Sequence, residues 1–384
     1  MAGDQAGDMY DYLEPRGYMA VGGECPSVGV AGGYTPGGGH SPLTSVVGLA
    51  ADQTLEFEVI LANGRKVTAS PKENPDLFWA LSGGGPGTFG IVWSMTAKAF
   101  RDVPVSGSIL TFTSGPNNTE AAFFSALEAW HAVIPNITKA GGYGYANYGK
   151  GRFTLHPIFA PNLTPDQLNA ILNPFVAAVR DLGFAYNFTT LSYPSFNPAY
   201  KGLFPFLSVG QLQWGSRLIP KSVLLDKPEE LAATVRALVD DNAIVVEAVM
   251  SPTRAVAGNP NNAVLPAWRD TQILLIAGSF WREAAPWEQM VADQQKITNV
   301  WTASLKRLAP DSGAYMNEAD HNDPEWQKSF YGANYDRLRK IKKRYDPQDF
   351  FYATTAVGSE AWALDASSRL CRVRGREGAP ASTD

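Results

Sequence analysis

The chain has 384 residues, 45% of them hydrophobic and 11% aromatic, enough for two or three domains around a large buried core. A net charge of −5 argues against nucleic acid or an anionic membrane surface as the main partner, and no apolar run reaches the ~18 residues that a membrane-spanning helix needs. Two cysteines, Cys25 and Cys371, allow one bridge at most and no disulfide framework.

The first distinctive stretch is residues 22–39, Gly-Gly-Glu-Cys-Pro-Ser-Val-Gly-Val-Ala-Gly-Gly-Tyr-Thr-Pro-Gly-Gly-Gly. Glycine this dense is used where main chain must press against something or take positive φ. Two readings follow: a glycine-rich turn between strands, or a backbone surface that approaches a flat or phosphorylated ligand with Cys25 facing it. Residues 54–61 then alternate, with Leu55, Phe57, Val59 and Leu61 on one face, and Asn63-Gly64 turns the chain into a partner strand over 65–69. Asn74-Pro-Asp opens a short helix, Asn74 as its N-cap, that ends at Gly83-Gly-Gly, and residues 91–100 alternate again as one strand.

Beyond residue 103 the pattern is helical, with strand-like runs between the helices. Residues 119–134 carry Phe123, Leu127, Trp130 and Ile134 on one stripe, and Thr164-Pro-Asp-Gln opens a second helix with a capping box. Residues 228–239 form a third helix, and residues 286–308 a fourth with Trp287, Met290, Ile297, Trp301 and Leu305 inward. The runs 243–250 and 272–277 read as strands of an antiparallel sheet backed by those helices. A last helix covers 334–345, and residues 363–384 read as a frayed tail. The division expected is 1–104, 105–310, 311–362 and the tail, an α+β chain.

Several sites are excluded. Gly85-Pro-Gly-Thr-Phe-Gly90 satisfies G-x-G-x-x-G, but it follows a helix and precedes a strand, the reverse of a dinucleotide fingerprint. The four histidines, His40, His131, His156 and His321, show no metal-ligand spacing, so no metal is expected. Asn-x-Thr sequons at Asn117, Asn136, Asn162 and Asn187 favour a secretory history, although the first residues do not form a signal peptide.

Three segments carry a resemblance to a known family: Gly23-Glu-Cys-Pro-Ser-Val-Gly through His40-Ser, with Gly48-Leu-Ala-Ala-Asp52; Asn74-Pro-Asp-Leu-Phe-Trp through Gly87-Thr-Phe-Gly-Ile-Val92; and Tyr315-Met-Asn-Glu-Ala-Asp320 through Ile341-Lys-Lys-Arg-Tyr-Asp-Pro347. In that order they resemble the berberine-bridge-enzyme-like flavoproteins of the vanillyl-alcohol-oxidase superfamily. The resemblance implies a PCMH-type FAD-binding domain, partial in this chain, and a substrate domain of antiparallel sheet backed by helices. It implies FAD linked covalently through Cys25. It further implies that the backbone of Val28, Gly29, Gly32, Gly33, Gly37, Gly38 and Gly39 lies against the cofactor with His40 beside it. Gly90, Ile91 and Val92 are expected on the adenosine side, with Asn334 and Tyr335 closing over the flavin and Asn317 pointing toward it beside Tyr315.

The base is Tyr315 or Glu318 on this resemblance; a tyrosine near its ordinary pKa of about 10 needs neighbours that lower it. The expected reaction is hydride transfer from an alcohol or amine carbon of a small molecule, a sugar or secondary metabolite, to flavin N5, with O2 as acceptor, in a secreted or secretory-pathway protein. The family's upstream motif with the second, histidyl flavin link has no counterpart here, so the chain looks like part of a longer protein. The alternative is a truncated, flavin-less relic or a small-molecule binding protein.

Overall fold

The strand Thr271–Phe280 shows what the centre of the molecule requires: Ile273, Leu275 and Ala277 enter one apolar cluster, while Leu274 and Ile276 enter another. Successive strand side chains point to opposite faces, so a run that is apolar at every position needs cover on both sides. The computed structural model, which describes residues 1–204, 212–281 and 284–373, supplies both covers.

The strand belongs to a seven-stranded antiparallel sheet in the order Leu212–Pro220, Thr271–Phe280, Ile244–Val249, Tyr143–Gly149, Arg152–Pro161, Val105–Thr113 and Ala185–Tyr193. Helices Glu120–Lys139, Pro165–Asp181 and Pro228–Asp240 cover one face through Phe123, Trp130, Phe175 and Val235. The other face, with Tyr143, Phe159, Leu218, Ala248 and Met250, packs against the N-terminal helix Ala6–Leu13 and the glycine stretch through Tyr10, Val30, Tyr34 and Leu43. The sheet therefore separates a helical layer from the layer that holds the glycines.

A second, three-stranded antiparallel sheet runs Lys66–Ala69, Thr54–Ile60, Ile91–Ala97. Its apolar cluster takes Phe57 and Val59 together with Leu77 and Leu81 of helix Pro75–Leu81 and Leu338 and Ile341 of helix Tyr335–Tyr345. Residues more than 250 positions apart thus share one core, and the C-terminal segment is built into the N-terminal sheet region.

The mixed α+β architecture and the antiparallel sheet agree with the sequence reading, as does the Thr164–Gln167 capping box. Several details differ. Residues 91–100 are two strands: Ile91–Ala97 pairs with Thr54–Ile60, then Lys98 N–H turns to the Gln53 carbonyl (2.9 Å) and Ala99–Arg101 pairs with Tyr18–Ala20. A register shift between Thr54 and Glu56 turns Leu55 outward, leaving it 43% exposed. Asn74 caps nothing with its side chain; its amide donates to the Thr68 carbonyl at 2.7 Å while the backbone is left-handed. The fourth helix widens into a π-turn over Ile297–Thr302, which buries Ile297, Trp301 and Leu305 but leaves Trp287 exposed against Trp281. The expected tail begins as a hairpin, Trp362–Leu364 with Leu370–Arg372, and its residues 374–384 lie outside the described residues. No helix among the described residues is long and apolar enough to cross a membrane.

Candidate active site

The glycine stretch is shaped by its own backbone. Residues Val30–Tyr34 form a wide helical turn, closed by the Thr35 hydroxyl donating to the Val30 carbonyl at 2.8 Å. Gly38 and Gly39 then take φ of +116° and +71°, which β-carbons oppose. That reversal lets the Gly38 and Gly39 carbonyls accept from Ala51 and Ala50 at 3.0 and 2.8 Å. The Tyr34 hydroxyl donates to the His40 carbonyl at 2.6 Å, so His40 leaves the loop on a fixed backbone.

The segment Tyr315 to Glu318 docks onto this loop from 278 residues away. Asn317 Nδ2 donates to the Tyr315 hydroxyl at 2.9 Å and to the Gly33 carbonyl at 3.4 Å, and a β-carbon on Gly37 would overlap the Asn317 amide. A short turn, Met316–Glu318, then aims the Glu318 carboxylate at His40, with Oε1 3.0 Å from Nε2. The His40 ring is packed among Tyr143, Trp268 and Tyr315 at centroid distances of 6.3, 6.5 and 5.3 Å. The Glu318 side chain keeps 28% of its surface exposed.

The electrostatics separate the two candidate bases. Burial raises the Tyr315 pKa well above its ordinary value, and the Glu318 charge raises it further, against opposing hydrogen bonds from Asn317 and Gly39. Tyr315 is therefore a neutral hydroxyl in this setting. Burial alone would lower the His40 pKa, but the charge and hydrogen bond of Glu318, with Glu24 behind, carry it above its ordinary value. Cys25 is an exposed residue whose thiol is partly shielded; that shielding and the charges of Glu24 and Glu318 raise its pKa.

The remaining residues singled out in the sequence divide. Gly32 and Gly33 face open space, with no atom within 4 Å of where a β-carbon would stand. Val28 and Gly29 are tied to the N-terminal segment, the Val28 carbonyl accepting from Ala6 at 3.0 Å and Gly29 bridging Gln5. Gly90 is a packing glycine, since a β-carbon there would come 2.5 Å from Val59 Cγ1; Ile91 is exposed and Val92 buried on the edge strand that follows. Asn334 and Tyr335 are not brought to this cluster: the Asn334 amide donates to the Ala263 and Val264 carbonyls, and the Tyr335 hydroxyl to Glu360 at 2.6 Å. The sequence reading missed Glu24 and Tyr143. Glu24 stood inside the quoted motif beside Cys25, whereas Tyr143 sits in a sheet strand with no motif around it.

The comparisons with known proteins agree on one family. Residues 314–358 match the family described as berberine and berberine like. The chain is 43% identical over 377 residues to the FAD-linked oxidoreductase patO of Aspergillus clavatus, covering 97% of this chain and 66% of that protein. It is 39% identical over 389 residues to the FAD-linked oxidoreductase orf1 of Neocamarosporium betae, covering 97% and 66%. The crystal structure of the VAO-type flavoprotein MtVAO615 from Myceliophthora thermophila superposes with a TM-score of 0.89 at 34% identity, covering 97% of this chain and 69% of that one. The chain belongs to the berberine-bridge-enzyme-like FAD-linked oxidoreductases of the VAO superfamily. It spans about two thirds of the length of the curated relatives it matches, 66% in both cases above.

The residues of this chain fit FAD. The open face over Gly32 and Gly33 leaves room for a flat ring, and Cys25 and the His40–Glu318 pair lie beside the loop that carries that face. The buried Thr88 hydroxyl, between Gly87 and Gly90, has no hydrogen-bond partner among the described residues. Those residues also form no cluster of three His, Cys, Asp or Glu suited to a metal.

Proposed function

We propose that this chain acts as an FAD-dependent oxidase that oxidises an alcohol or amine carbon of a small molecule, a sugar or secondary metabolite, with O2 as electron acceptor. In this reading residues 1–104 and 311–362 form the flavin side and residues 105–310 the substrate side. The observation that carries it is the meeting of Glu318, held by His40, with a glycine face that has open space above it. Bound FAD would supply the hydride acceptor at its N5.

The chain's own residues would bind, orient and deprotonate. Gly32, Gly33 and the reversed backbone at Gly38 and Gly39 would lie against the cofactor, and Cys25 would link to it through Sγ. Glu318 would take the proton from the substrate O–H or N–H, its carboxylate anchored at one oxygen by His40 and its side chain partly exposed. Tyr315, kept neutral by burial, would position Asn317 and brace the His40 ring rather than act as base. The four sequon asparagines, Asn117, Asn136, Asn162 and Asn187, are all exposed, which supports a secretory-pathway protein carrying glycans.

The test is a visible flavin spectrum after loading, followed by O2 consumption over a panel of sugars, benzylic alcohols and amines. Flavin binding with turnover of at least one class is expected. A protein that stays colourless with FAD present yet binds panel members would instead support a flavin-less binding protein. Treatment of the secreted protein with an endoglycosidase should lower its mass.

A further inference from the structure

The site holds a second carboxylate that the reaction above leaves without a part. Glu24 hydrogen-bonds the Tyr143 hydroxyl, that hydroxyl lies 3.4 Å from His40 Nδ1, and the other ring nitrogen, Nε2, lies 3.0 Å from Glu318 Oε1. A single line of polar contacts thus runs between two carboxylates, its four side chains drawn from three segments: the glycine stretch, the strand Tyr143–Gly149 and the turn Met316–Glu318. The line is held from outside. Tyr143 is fully buried in its strand, and the Tyr200 hydroxyl donates to the Glu24 backbone carbonyl at 2.7 Å.

We propose that Glu24 is the terminal proton acceptor of a relay, through Tyr143 and His40, that returns Glu318 to its ionised form after each substrate deprotonation. The proposal rests on Glu318 being the base. Once Glu318 has taken the substrate proton, it gives a proton to His40 Nε2, and Nδ1–H gives its own to the Tyr143 oxygen. The Tyr143 O–H proton passes to the Glu24 carboxylate. One proton leaves Glu318 and one arrives on Glu24; His40 and Tyr143 keep their proton counts, with the His40 proton now on Nε2, so Glu24 releases its proton to solvent and the ring returns to the Nδ1–H tautomer before the next discharge of Glu318. No electrons move, and Tyr143 never has to exist as a free phenolate.

The surroundings support this division of labour. Burial pushes the Glu24 pKa up to about 6, against the charge of His40 and the hydrogen bond from Tyr143, so it can take and release a proton near neutral pH. His40 is raised above its ordinary value by Glu318 and Glu24 despite burial, which keeps it able to accept. The other titratable groups around Glu24 stay protonated there. Burial raises Tyr10, Tyr34, Tyr143, Tyr145 and Tyr200, and it raises the Cys25 thiol. Glu24 also accounts for the polar end of Tyr143, a residue otherwise placed among apolar neighbours.

Four variants of the flavin-loaded protein test it. Wild type should show an acid limb in kcat with an apparent pKa near that of Glu24, about 6. Glu24→Gln should lose that limb and lower kcat roughly tenfold or more with little change in KM, because a proton-transfer partner is removed and no substrate contact is. Tyr143→Phe should do the same, and Glu24→Asp should restore part of the rate. Glu318→Gln should lose about a hundredfold or more at every pH. A readout independent of turnover is the His40 titration followed by NMR on 15N-histidine-labelled protein. Its pKa should fall in Glu24→Gln, because a facing negative charge is lost. An unchanged kcat profile together with an unchanged His40 titration in Glu24→Gln and Tyr143→Phe overturns the relay and leaves Glu318 as base. Full activity in Glu318→Gln overturns the base itself, whatever the Glu24 variants do.

Discussion

Glycines five residues apart in this loop are glycines for different reasons. At Gly38 the backbone has φ +116°, so a side chain is strained before any neighbour is considered, whereas Gly33 faces open space in an ordinary conformation. Gly38→Val is therefore expected to lower stability by about 1–3 kcal/mol as well as abolish flavin binding. Gly33→Ala is the cleaner probe: thermal unfolding should be unchanged and flavin occupancy reduced. Equal occupancy in that variant would mean the open face is not the flavin contact. Cys25 carries a second residue-scale prediction. The thiolate is the nucleophile, and shielding together with Glu24 and Glu318 raises the thiol pKa, so covalent attachment should speed up as pH rises above neutrality. Acid-precipitated wild type should retain flavin and Cys25→Ala should release it; retention by the variant would remove Cys25 from the linkage.

Two short turns, Ala50–Asp52 and Pro266–Asp270, are fastened by a bidentate ion pair at the edge of the site. Arg269 donates from Nη1 and Nη2 to the two Asp52 oxygens at 2.8 and 2.7 Å, and both residues are buried. Asp52 also accepts from the Leu49 N–H at 2.9 Å and from Asn262 at 2.7 Å, so its lone pairs are filled. The pair binds the loop after the glycines to the turn that carries Trp268, one wall of the His40 site. Removing one partner of a buried pair strands the other charge, so Arg269→Ala is expected to destabilise by about 3–5 kcal/mol in denaturant unfolding. The motif Gly-Leu-Ala-Ala-Asp was visible in the sequence, but its partner was not. An arginine 217 positions away has no local pattern to announce it.

A fully buried carboxylate, Glu247, sits at the centre of the large sheet. Glu247 accepts from Trp130 Nε1 at 2.7 Å, His131 Nε2 at 2.9 Å and the Tyr148 hydroxyl at 2.7 Å, joining two strands to the helix above them. Burial alone would raise its pKa, but the charge and hydrogen bond of His131 and the bonds from Tyr148 and Trp130 hold it below the ordinary value. A depressed folded-state pKa contributes stability that is fully present above the unfolded value of about 4.3 and is lost as pH falls through the folded one. The unfolding temperature should therefore drop on acidification below that value. Glu247→Gln should be less stable at neutral pH, with a shallower acid decline. An identical decline in the variant would place the acid sensitivity elsewhere.

What the sequence by itself determined was local. Periodicity located the helices around Trp130 and Phe175 and the strand around Phe57, because one buried face imposes its spacing on neighbouring residues. Residue type and order carried the family, since the glycine loop, Cys25 and the Tyr315-Met-Asn-Glu segment keep their character when read as text. Pairing across the fold was not determined in that way. Only two of the seven strands of the large sheet were singled out beforehand, because strands covered on both faces lose the alternation that marks a half-buried one. The same holds for the site. His40 and Glu318 could each be named, but tertiary structure decided that they meet at 3.0 Å, that Tyr315 is held neutral, and that Glu24 and Tyr143 complete the line. Hydrogen bonds and ion pairs between distant residues depend on which surfaces come together, and that depends on the packing of the whole chain.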